Sequence, residues 1–335
     1  MNFKRGWVLG CLLLAACHKN GTWVDGQIDP GIRQTIDALN AKVINGISAK
    51  DTAGLKGMFS DSLWSRVGPA FAAQVMTNGV SFDTGKFKIR NQYYMVFGGT
   101  TPKSNTNLHR GKGNDHDYVL TFQPMNEETG MTVGYFNDTP ESFALTTAYG
   151  KYGDSWKLNI LEIGLLKVMN RDAIDWYQRA QHDYEKGFLA DAANDLLICE
   201  QLLRPAGDML HYEKEKDIND MDQRLTAAIA QRYPFPMTDS LVSTKPSIFR
   251  ISLNRAPEGY YPLVLYKTKL PLKDTLALSR ECDAVYAHLG QLFSGLDEGK
   301  RYLYFRAYTQ IPGDTTGALA YKEFKRAGRI KREEP

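Results

Sequence analysis

The sequence of 335 residues lacks the short motifs that identify many enzymes and nucleotide-binding proteins. It has no phosphate-binding glycine loop, no dinucleotide-binding glycine fingerprint, no His-Glu-x-x-His, no Cys-x-x-Cys and no Gly-x-Ser-x-Gly. These absences exclude the enzyme classes that carry their chemistry on one local motif, and we expect neither a cofactor nor a metal. Enzymes whose acids and bases meet only inside a folded cavity remain open.

Long apolar runs are also lacking beyond the first twenty residues, so no later segment approaches the roughly 20 residues of a membrane-spanning helix. The composition, 43% hydrophobic and 24% charged, is ordinary for a chain that forms a packed core. The length favours two or three domains. The body of the chain is therefore predicted to be a water-soluble, multidomain protein.

Cysteine is scarce, with four residues in all. Cys11 and Cys17 lie near the amino terminus, which leaves Cys199 and Cys282 as the pair that could form a disulfide. Both lie on apolar faces of predicted helices, where buried free cysteine is common. The sequence leaves both states open and favours free thiols.

The amino terminus has the layout of a secretory signal. Lys4 and Arg5 precede the uncharged, mainly apolar segment 6–16. As a helix this segment would rise about 16 Å, which is far short of a hydrocarbon core of about 30 Å. We therefore expect export rather than a membrane-spanning helix.

The end of this segment, Leu14-Ala15-Ala16-Cys17, resembles the lipobox of bacterial lipoproteins. The resemblance implies cleavage before Cys17, acylation of its thiol and stable attachment to a membrane through several acyl chains. A plain secretion signal followed by a coincidental cysteine is the alternative. His18 and Lys19 include no aspartate of the kind that retains some enterobacterial lipoproteins at the inner membrane. That analogy favours the outer membrane of a bacterial cell envelope.

Residues 30–168 change from helical to strand periodicity. Apolar spacing predicts a helix from Pro30, a short helix capped by Asp51 and a third helix that stops at Asn78-Gly79. Alternating apolar residues then predict five strands, at 89–97, 118–123, 131–136, 143–149 and 156–166. Helices followed by antiparallel strands indicate an α+β fold in which a curved sheet wraps the helices.

Two segments of this region, LNAKVINGISAKDTAGLKGMFSDSLW and YGKYGDSWKLNILEIG, resemble the nuclear-transport-factor-like (SnoaL-like) cone fold. The first matches the helix and "xxDxxxLxxxFS" segment of such families, and the second matches their late "G-x-W-x-L" strand. The resemblance implies a cone-shaped domain with an internal cavity. It does not indicate what fills that cavity.

The next segment, WYQRAQHDYEKGFLADAANDLLICEQLLRP, resembles one tetratricopeptide unit. Characteristic positions are occupied by Trp176, Ala180, Tyr184, Gly187, Ala192 and Leu196, and the closing proline arrives one place late as Pro205. A third helix is predicted over 212–232. One unit is too few for a solenoid, so a helical hairpin packed between domains is favoured over a peptide-binding scaffold.

The remaining sequence predicts a proline-marked linker, a small α+β domain and a basic tail. The tail could bind nucleic acid or anionic lipid headgroups. Because an exported protein rarely encounters nucleic acid, a solvated terminus is favoured. The predicted organisation is a signal peptide at 1–16, a lipidated linker at 17–29, the cone domain at 30–168, the tetratricopeptide-like segment at 169–233, a linker at 234–246, the α+β domain at 247–325 and the tail at 326–335.

The segment GNDHDYVLTF holds the strongest candidate site residues. On a strand, Asp115, His116 and Asp117 would point to alternating faces, so they cannot converge on a metal without a turn or a further ligand. A turn rich in polar residues is the favoured interpretation of these three positions. Alternation places His116 with Tyr118, Leu120 and Phe122 towards the cone interior, and Glu162 with Trp156, Leu158 and Ile160. The candidate catalytic residues are therefore His116, Tyr118 and Glu162, with histidine and a desolvated carboxylate as the proton-transfer pair.

Two functions follow from these observations. The first is a non-catalytic, membrane-anchored envelope lipoprotein that binds an envelope protein or a small molecule in the cone cavity. The second is an isomerase, dehydratase or hydrolase that uses His116 and Glu162 in that cavity. The scarcity of catalytic motifs favours the first.

Overall fold

The computed structural model describes residues 20–77, 82–98, 105–110, 113–138, 140–313 and 319–329. Within these ranges the chain is a mixed α+β protein with seven α-helices and three sheets. None of the helices in this part combines the length and the apolar character that crossing a bilayer demands. The predicted lipidation site Cys17 and the predicted helix stop at Asn78-Gly79 lie outside the described residues.

Three helices follow the short strand Gly21–Val24, and the apolar spacing of the sequence predicted them. They are α1 (Pro30–Ser48), α2 (Thr52–Met58) and α3 (Asp61–Thr77). The Asp29 carboxylate caps α1 by accepting hydrogen bonds from two free backbone N–H groups, and Pro30 occupies the first turn, where no N–H is needed. Asp51 caps α2 in the same way, by accepting from the Gly54 N–H at 2.9 Å.

The first sheet is antiparallel and has the strand order β1-β2-β5-β6-β7. Its edge strand β1 was not predicted, because Gly21–Val24 falls within the segment expected to be a lipidated linker. The sheet therefore begins only a few residues after Cys17. The strands of the sheet are β1 (Gly21–Val24), β2 (Phe87–Val96), β5 (Glu128–Phe136), β6 (Glu141–Tyr152) and β7 (Ser155–Val168).

One face of this sheet packs against α1, α2 and α3. We call this cluster the helix-side core; it contains Ile36, Val43, Leu55, Tyr149 and Leu158. Inside it, the Asn40 amide donates to Thr132 Oγ1 at 2.9 Å and its oxygen accepts from Thr147 Oγ1 at 2.7 Å. A buried polar network therefore bridges α1 and the sheet, with each partner satisfied.

The opposite face of the sheet packs against a second, larger cluster, the central core, which contains Tyr93, Met131, Tyr118, Trp176 and Leu196. A small antiparallel sheet of order β3-β4-β9 and three helices complete it. Gly187, at φ +75°, turns the chain between the first two of these helices. The elements are β3 (Thr106–Arg110), β4 (Tyr118–Phe122), α4 (Ala173–Glu185), α5 (Leu189–Leu202), β8 (Pro205–Asp208), β9 (Leu210–Tyr212) and α6 (Glu215–Arg232).

The placement of β4 corrects one prediction. Tyr118, Leu120 and Phe122 share a buried face, as the alternation indicated, but that face belongs to the central core rather than to the space next to α1–α3. The reason is that β4 pairs with β3 and β9 instead of joining the first sheet. The apolar alternation identifies a buried face but not the cluster that it enters.

The carboxy-terminal region forms a third sheet with the order β10-β11-β12-β13-β14. Strand β12 runs parallel to β13, and α7 is the crossover that connects them. Leu278, Val285 and Leu289 of α7 enter the carboxy-terminal core on one face of the sheet. The elements are β10 (Met237–Thr238), β11 (Ser247–Ala256), β12 (Gly259–Lys267), α7 (Thr275–Leu292), β13 (Tyr302–Tyr308) and β14 (Tyr321–Ala327).

The two cysteines of the body are free and lie in different clusters, Cys199 in the central core and Cys282 in the carboxy-terminal core. Burial raises the pKa of each thiol to about 12. Both therefore stay protonated near neutral pH, where a thiol is a poor nucleophile.

The prediction of a solvated tail is wrong for its first residues, 326–329. Arg326 Nε lies 2.6 Å from Asp283 Oδ1, and Arg329 Nη1 lies 2.9 Å from Asp297 Oδ2. These ion pairs hold the start of the tail against α7 and the loop that connects α7 to β13. Residues 330–335 lie outside the described residues.

Candidate functional site

His116 lies in a turn ahead of β4, not on a strand. The Asp117 carboxylate shapes this turn by accepting from the Gly113 and Asn114 N–H groups at 2.8 and 3.1 Å. Asp115 leaves the turn in another direction, since its Oδ2 accepts from the Gln178 amide at 3.1 Å. The three side chains of the Asp-His-Asp sequence therefore do not converge.

The imidazole of His116 instead meets the first turn of α4. Its Nδ1 lies 3.0 Å from Asp172 Oδ2, and its Nε2 lies 3.8 Å from Asp175 Oδ1. The side chain of Asp172 is buried, whereas those of His116 and Asp175 are partly exposed. One imidazole thus faces two carboxylates at the surface of the protein.

Asp172 and Asp175 form the capping box of α4. Asp172 Oδ1 accepts from the N–H groups of Ile174 and Asp175 at 3.0 and 3.2 Å, and Asp175 Oδ2 accepts from the Asp172 N–H at 2.9 Å. Each carboxylate therefore commits one oxygen to the helix and keeps its second oxygen towards His116. The helix cap fixes the position of both acidic groups.

Tyr118, a predicted catalytic candidate, is fully buried beneath this cluster. Its hydroxyl donates to the Asn91 amide oxygen, and the Arg90 guanidinium carbon lies 4.8 Å from the centre of its ring. Arg90 also donates to the carbonyl oxygen of His116 at 3.4 Å. The ring of Tyr118 thus packs against Arg90, which in turn contacts the His116 turn, and its hydroxyl is hydrogen-bonded to Asn91.

Glu162 does not share a face with Trp156 and Leu158, because a β-bulge interrupts β7. The register with β6 shifts between Leu158 and Ile160, so that Asn159 is an extra residue. Leu158 enters the helix-side core and Ile160 packs against the central core. Simple alternation fails here because one inserted residue reverses the side chains that follow it, up to a second register shift near Leu166.

The surroundings of Glu162 also differ from those of His116. Burial raises the pKa of the Glu162 carboxyl, the charge of Arg66 opposes that rise, and Asp208 adds to it. Gly207, at φ +56°, lies opposite the carboxylate on the neighbouring β8. In the part of the chain that the structure describes, His116 contacts Asp172 and Asp175, and Glu162 is not among its partners.

A polar groove of about 300 Å³ lies between α4 and α6 beside this cluster. It is lined by Tyr177, Asp217, Asp220 and Arg224. Lys214 connects the two regions, since its Nζ lies 3.0 Å from Asp217 Oδ2 and 3.6 Å from Asp115 Oδ1. The turn and the two helices therefore present one continuous polar surface.

Sequence reasoning missed Asp172 and Asp175. The Asp-x-x-Asp spacing ahead of an apolar helix is a recognisable signal for a capping box. Their contact with His116, which precedes Asp172 by 56 residues, is tertiary and has no local signal.

Comparisons of this chain with protein-family models, with curated proteins and with solved structures find no match. Function therefore has to be argued from the residues of this chain alone.

Proposed function

We propose that this protein is a lipid-anchored, non-catalytic binding protein of the bacterial cell envelope. The observation that carries the proposal is that the titratable groups of the candidate site are all engaged in holding the structure. Asp117 shapes the turn, Asp172 and Asp175 cap α4, and His116 ties the two together. Acids and bases in a catalytic site need a free position towards a substrate, and this arrangement favours binding instead.

The lipobox resemblance at Cys17 supports the membrane anchor. Only residues 18–20 separate Cys17 from Gly21, where β1 begins. Such a connection reaches at most about 14 Å when fully extended. A lipid on Cys17 would therefore hold the folded body close to the membrane surface, and we place that surface at the outer membrane.

The same proposal includes a fold class for each of two regions of the chain. We assign the first sheet with α1, α2 and α3 to the cone-shaped class of nuclear-transport-factor-like domains, and α4 with α5 to a tetratricopeptide-like pair. Three helices on one face of a strongly hydrogen-bonded antiparallel sheet support the first assignment. Fully buried Ala180 and Ala192, with a turn at Gly187, support the second.

The polar groove between α4 and α6 is the proposed binding surface, and its partner is an envelope protein with a polar surface of mixed charge. Carboxylates and a guanidinium around a tyrosine suit such a contact. A small-molecule ligand inside the first domain has less support, because Asn40, Thr147 and Tyr149 hydrogen-bond to one another between α1 and the sheet.

The alternative, a cone-cavity isomerase, dehydratase or hydrolase, also has less support. It requires that His116 and Glu162 lie in one site, but each of the two residues contacts a different set of neighbours. The raised pKa of Glu162 is accounted for by burial.

Metabolic labelling with an alkyne fatty acid tests the anchor. The full chain is expected to take up the label, and Cys17→Ser is expected to abolish it, because the thiol is the acylation site. Cys11→Ser is the matched control and should keep the label, since it removes a cysteine of the same apolar region. Labelling that persists in Cys17→Ser contradicts the lipoprotein assignment.

Charge reversal in the groove tests the binding surface. After crosslinking in intact cells, the wild-type protein is expected to recover a specific envelope protein, and Arg224→Glu is expected to lose most of it. Arg232→Glu reverses an exposed arginine on the same helix outside the groove, so it should retain the partner. Equal recovery by both variants, or no crosslinked protein from the wild type, argues against this surface.

A further inference from the structure

We propose that His116, Asp172 and Asp175 form a binding site for a divalent transition-metal ion, with Zn²⁺ as the best fit. One imidazole nitrogen and one oxygen from each carboxylate would be the ligands. The site stands independently of the proposed anchor and groove. It also revises the expectation from sequence that the chain holds no metal.

The distances suit such an ion. Zinc binds nitrogen and oxygen ligands at about 2.0–2.2 Å, so two ligands of a tetrahedral ion lie about 3.3 Å apart. His116 Nδ1 lies 3.0 Å from Asp172 Oδ2, and its Nε2 lies 3.8 Å from Asp175 Oδ1. Only one of the two ring nitrogens can bind a given ion, and one ligand atom from each of the three residues lies within 4.8 Å of the others. Closing the site therefore requires the imidazole to rotate until one nitrogen faces both carboxylates.

The capping box supplies the support that metal ligands need. Ligating carboxylates are themselves hydrogen-bonded through their second oxygen, and this orients the first. Backbone N–H groups at the start of α4 hold Asp172 Oδ1 and Asp175 Oδ2, while Asp172 Oδ2 and Asp175 Oδ1 face His116, and an ion would replace their contacts with the imidazole. The two acidic ligands are thus fixed by the helix before any ion arrives.

The local charges determine whether a cation is stable there. The amino end of a helix carries a partial positive charge of about one half, and the positive Arg90 lies behind the turn, where it contacts the carbonyl of His116. Two carboxylates in direct contact with the ion bring two negative charges, which outweigh this partial charge and the single positive charge of Arg90, although Arg90 also acts on Asp172. Lys214 is held by Asp217 and Asp115, at 3.0 and 3.6 Å, so it does not occupy the position between the ligands.

The donor set determines the class of ion. Imidazole suits zinc, copper, iron and nickel, whereas Mg²⁺ and Ca²⁺ prefer oxygen ligands alone. Three protein ligands leave a fourth position on a tetrahedral ion for water or for a group from a partner. The site is therefore expected to select Zn²⁺ over Mg²⁺.

Calorimetric titration of the untagged full chain in detergent, with ZnCl₂ as the probe, tests the site. We expect one Zn²⁺ per chain, no measurable heat with MgCl₂, and at least about 100-fold weaker binding of Zn²⁺ by His116→Ala. The matched control is His211→Ala, because the Nδ1 of His211 also lies near a carboxylate, 3.4 Å from Glu215 Oε2. This control should bind Zn²⁺ as the wild type does.

Asp172→Asn and Asp175→Asn separate ligand loss from loss of the fold. Asparagine still caps a helix, so the melting temperature without metal should stay close to that of the wild type. Zn²⁺ should raise the melting temperature of the wild type but not of these variants. The proposal is overturned if the wild type binds no Zn²⁺, or if His116→Ala binds it as tightly as His211→Ala does.

Discussion

Replacing Lys300 with methionine is expected to lower the free energy of unfolding by about 3–5 kcal/mol, because the change breaks a buried ion pair by removing one of its two charges. Lys300 Nζ lies 2.7 Å from Asp191 Oδ2, and the two side chains are only 9% and 2% exposed. The same ammonium group donates to the carbonyl oxygen of Glu298 at 2.9 Å. It thereby joins α5 to the loop before β13, that is, the central helices to the carboxy-terminal sheet.

The matched control is Lys216→Met on α6. Lys216 also pairs with an aspartate, Asp220, but its side chain is 82% exposed. An exposed pair of this kind adds little to stability, because water screens its charges. Urea unfolding of both variants should therefore show a large loss for Lys300→Met and a small one for Lys216→Met.

A double variant, Lys300→Met with Asp191→Leu, makes the interpretation sharper. Removing both charges of a buried pair and filling the space with apolar groups is often close to neutral. We expect the double variant to recover most of the lost stability. If Lys300→Met behaves like Lys216→Met, the two regions are not held together by this ion pair.

The helices could be predicted from sequence because their signals are local. Asp29 with Pro30, and Asp51, are caps that lie within three residues of the N–H groups they satisfy. The amphipathic stripe of α7 and the strand Tyr302–Tyr308 have the same property, since the pattern and the element occupy the same residues. Such elements are specified before any tertiary contact forms.

The sheet partners could not be predicted in this way. Strand β9 has three residues, too few to show a period, yet Leu210–Tyr212 completes the sheet that holds β4. The bulge at Asn159 has no sequence signal either, because an asparagine in a strand does not by itself indicate an extra residue. The bulge decides the face that Glu162 presents, and the β9 pairing decides the sheet that follows His116, so the predicted pairing of these two residues had no firm basis.

The candidate site shows the same division between local and tertiary information. The polar turn around His116 was recognisable from its Gly, Asn and Asp residues. Its partners come from the cap of a helix that begins only after four intervening strands, and only the packing of the central core brings them together. The local sequence therefore indicated one ligand of the proposed metal site, His116, but not the other two, Asp172 and Asp175.

Replacing Ala192 with arginine tests that central packing most directly. Ala192 is fully buried in α5 within the central core, and its N–H donates to the Phe188 carbonyl at 3.0 Å in the first turn of the helix. Arginine adds a long side chain where the core is filled, which typically costs 1–3 kcal/mol by overpacking. It also buries an unpaired charge, which costs several kcal/mol more unless the side chain escapes to water.

We therefore expect Ala192→Arg to lower the free energy of unfolding by about 4 kcal/mol or more, measured by urea unfolding followed by circular dichroism. Leu197→Arg is the matched control, since Leu197 lies on the same helix but is 41% exposed. Its arginine can remain in water, so the expected change is within about 0.5 kcal/mol. Equal midpoints for the two variants would mean that α5 does not pack through Ala192. The tight pairing of α4 and α5, on which the tetratricopeptide-like assignment depends, would then lose its physical basis.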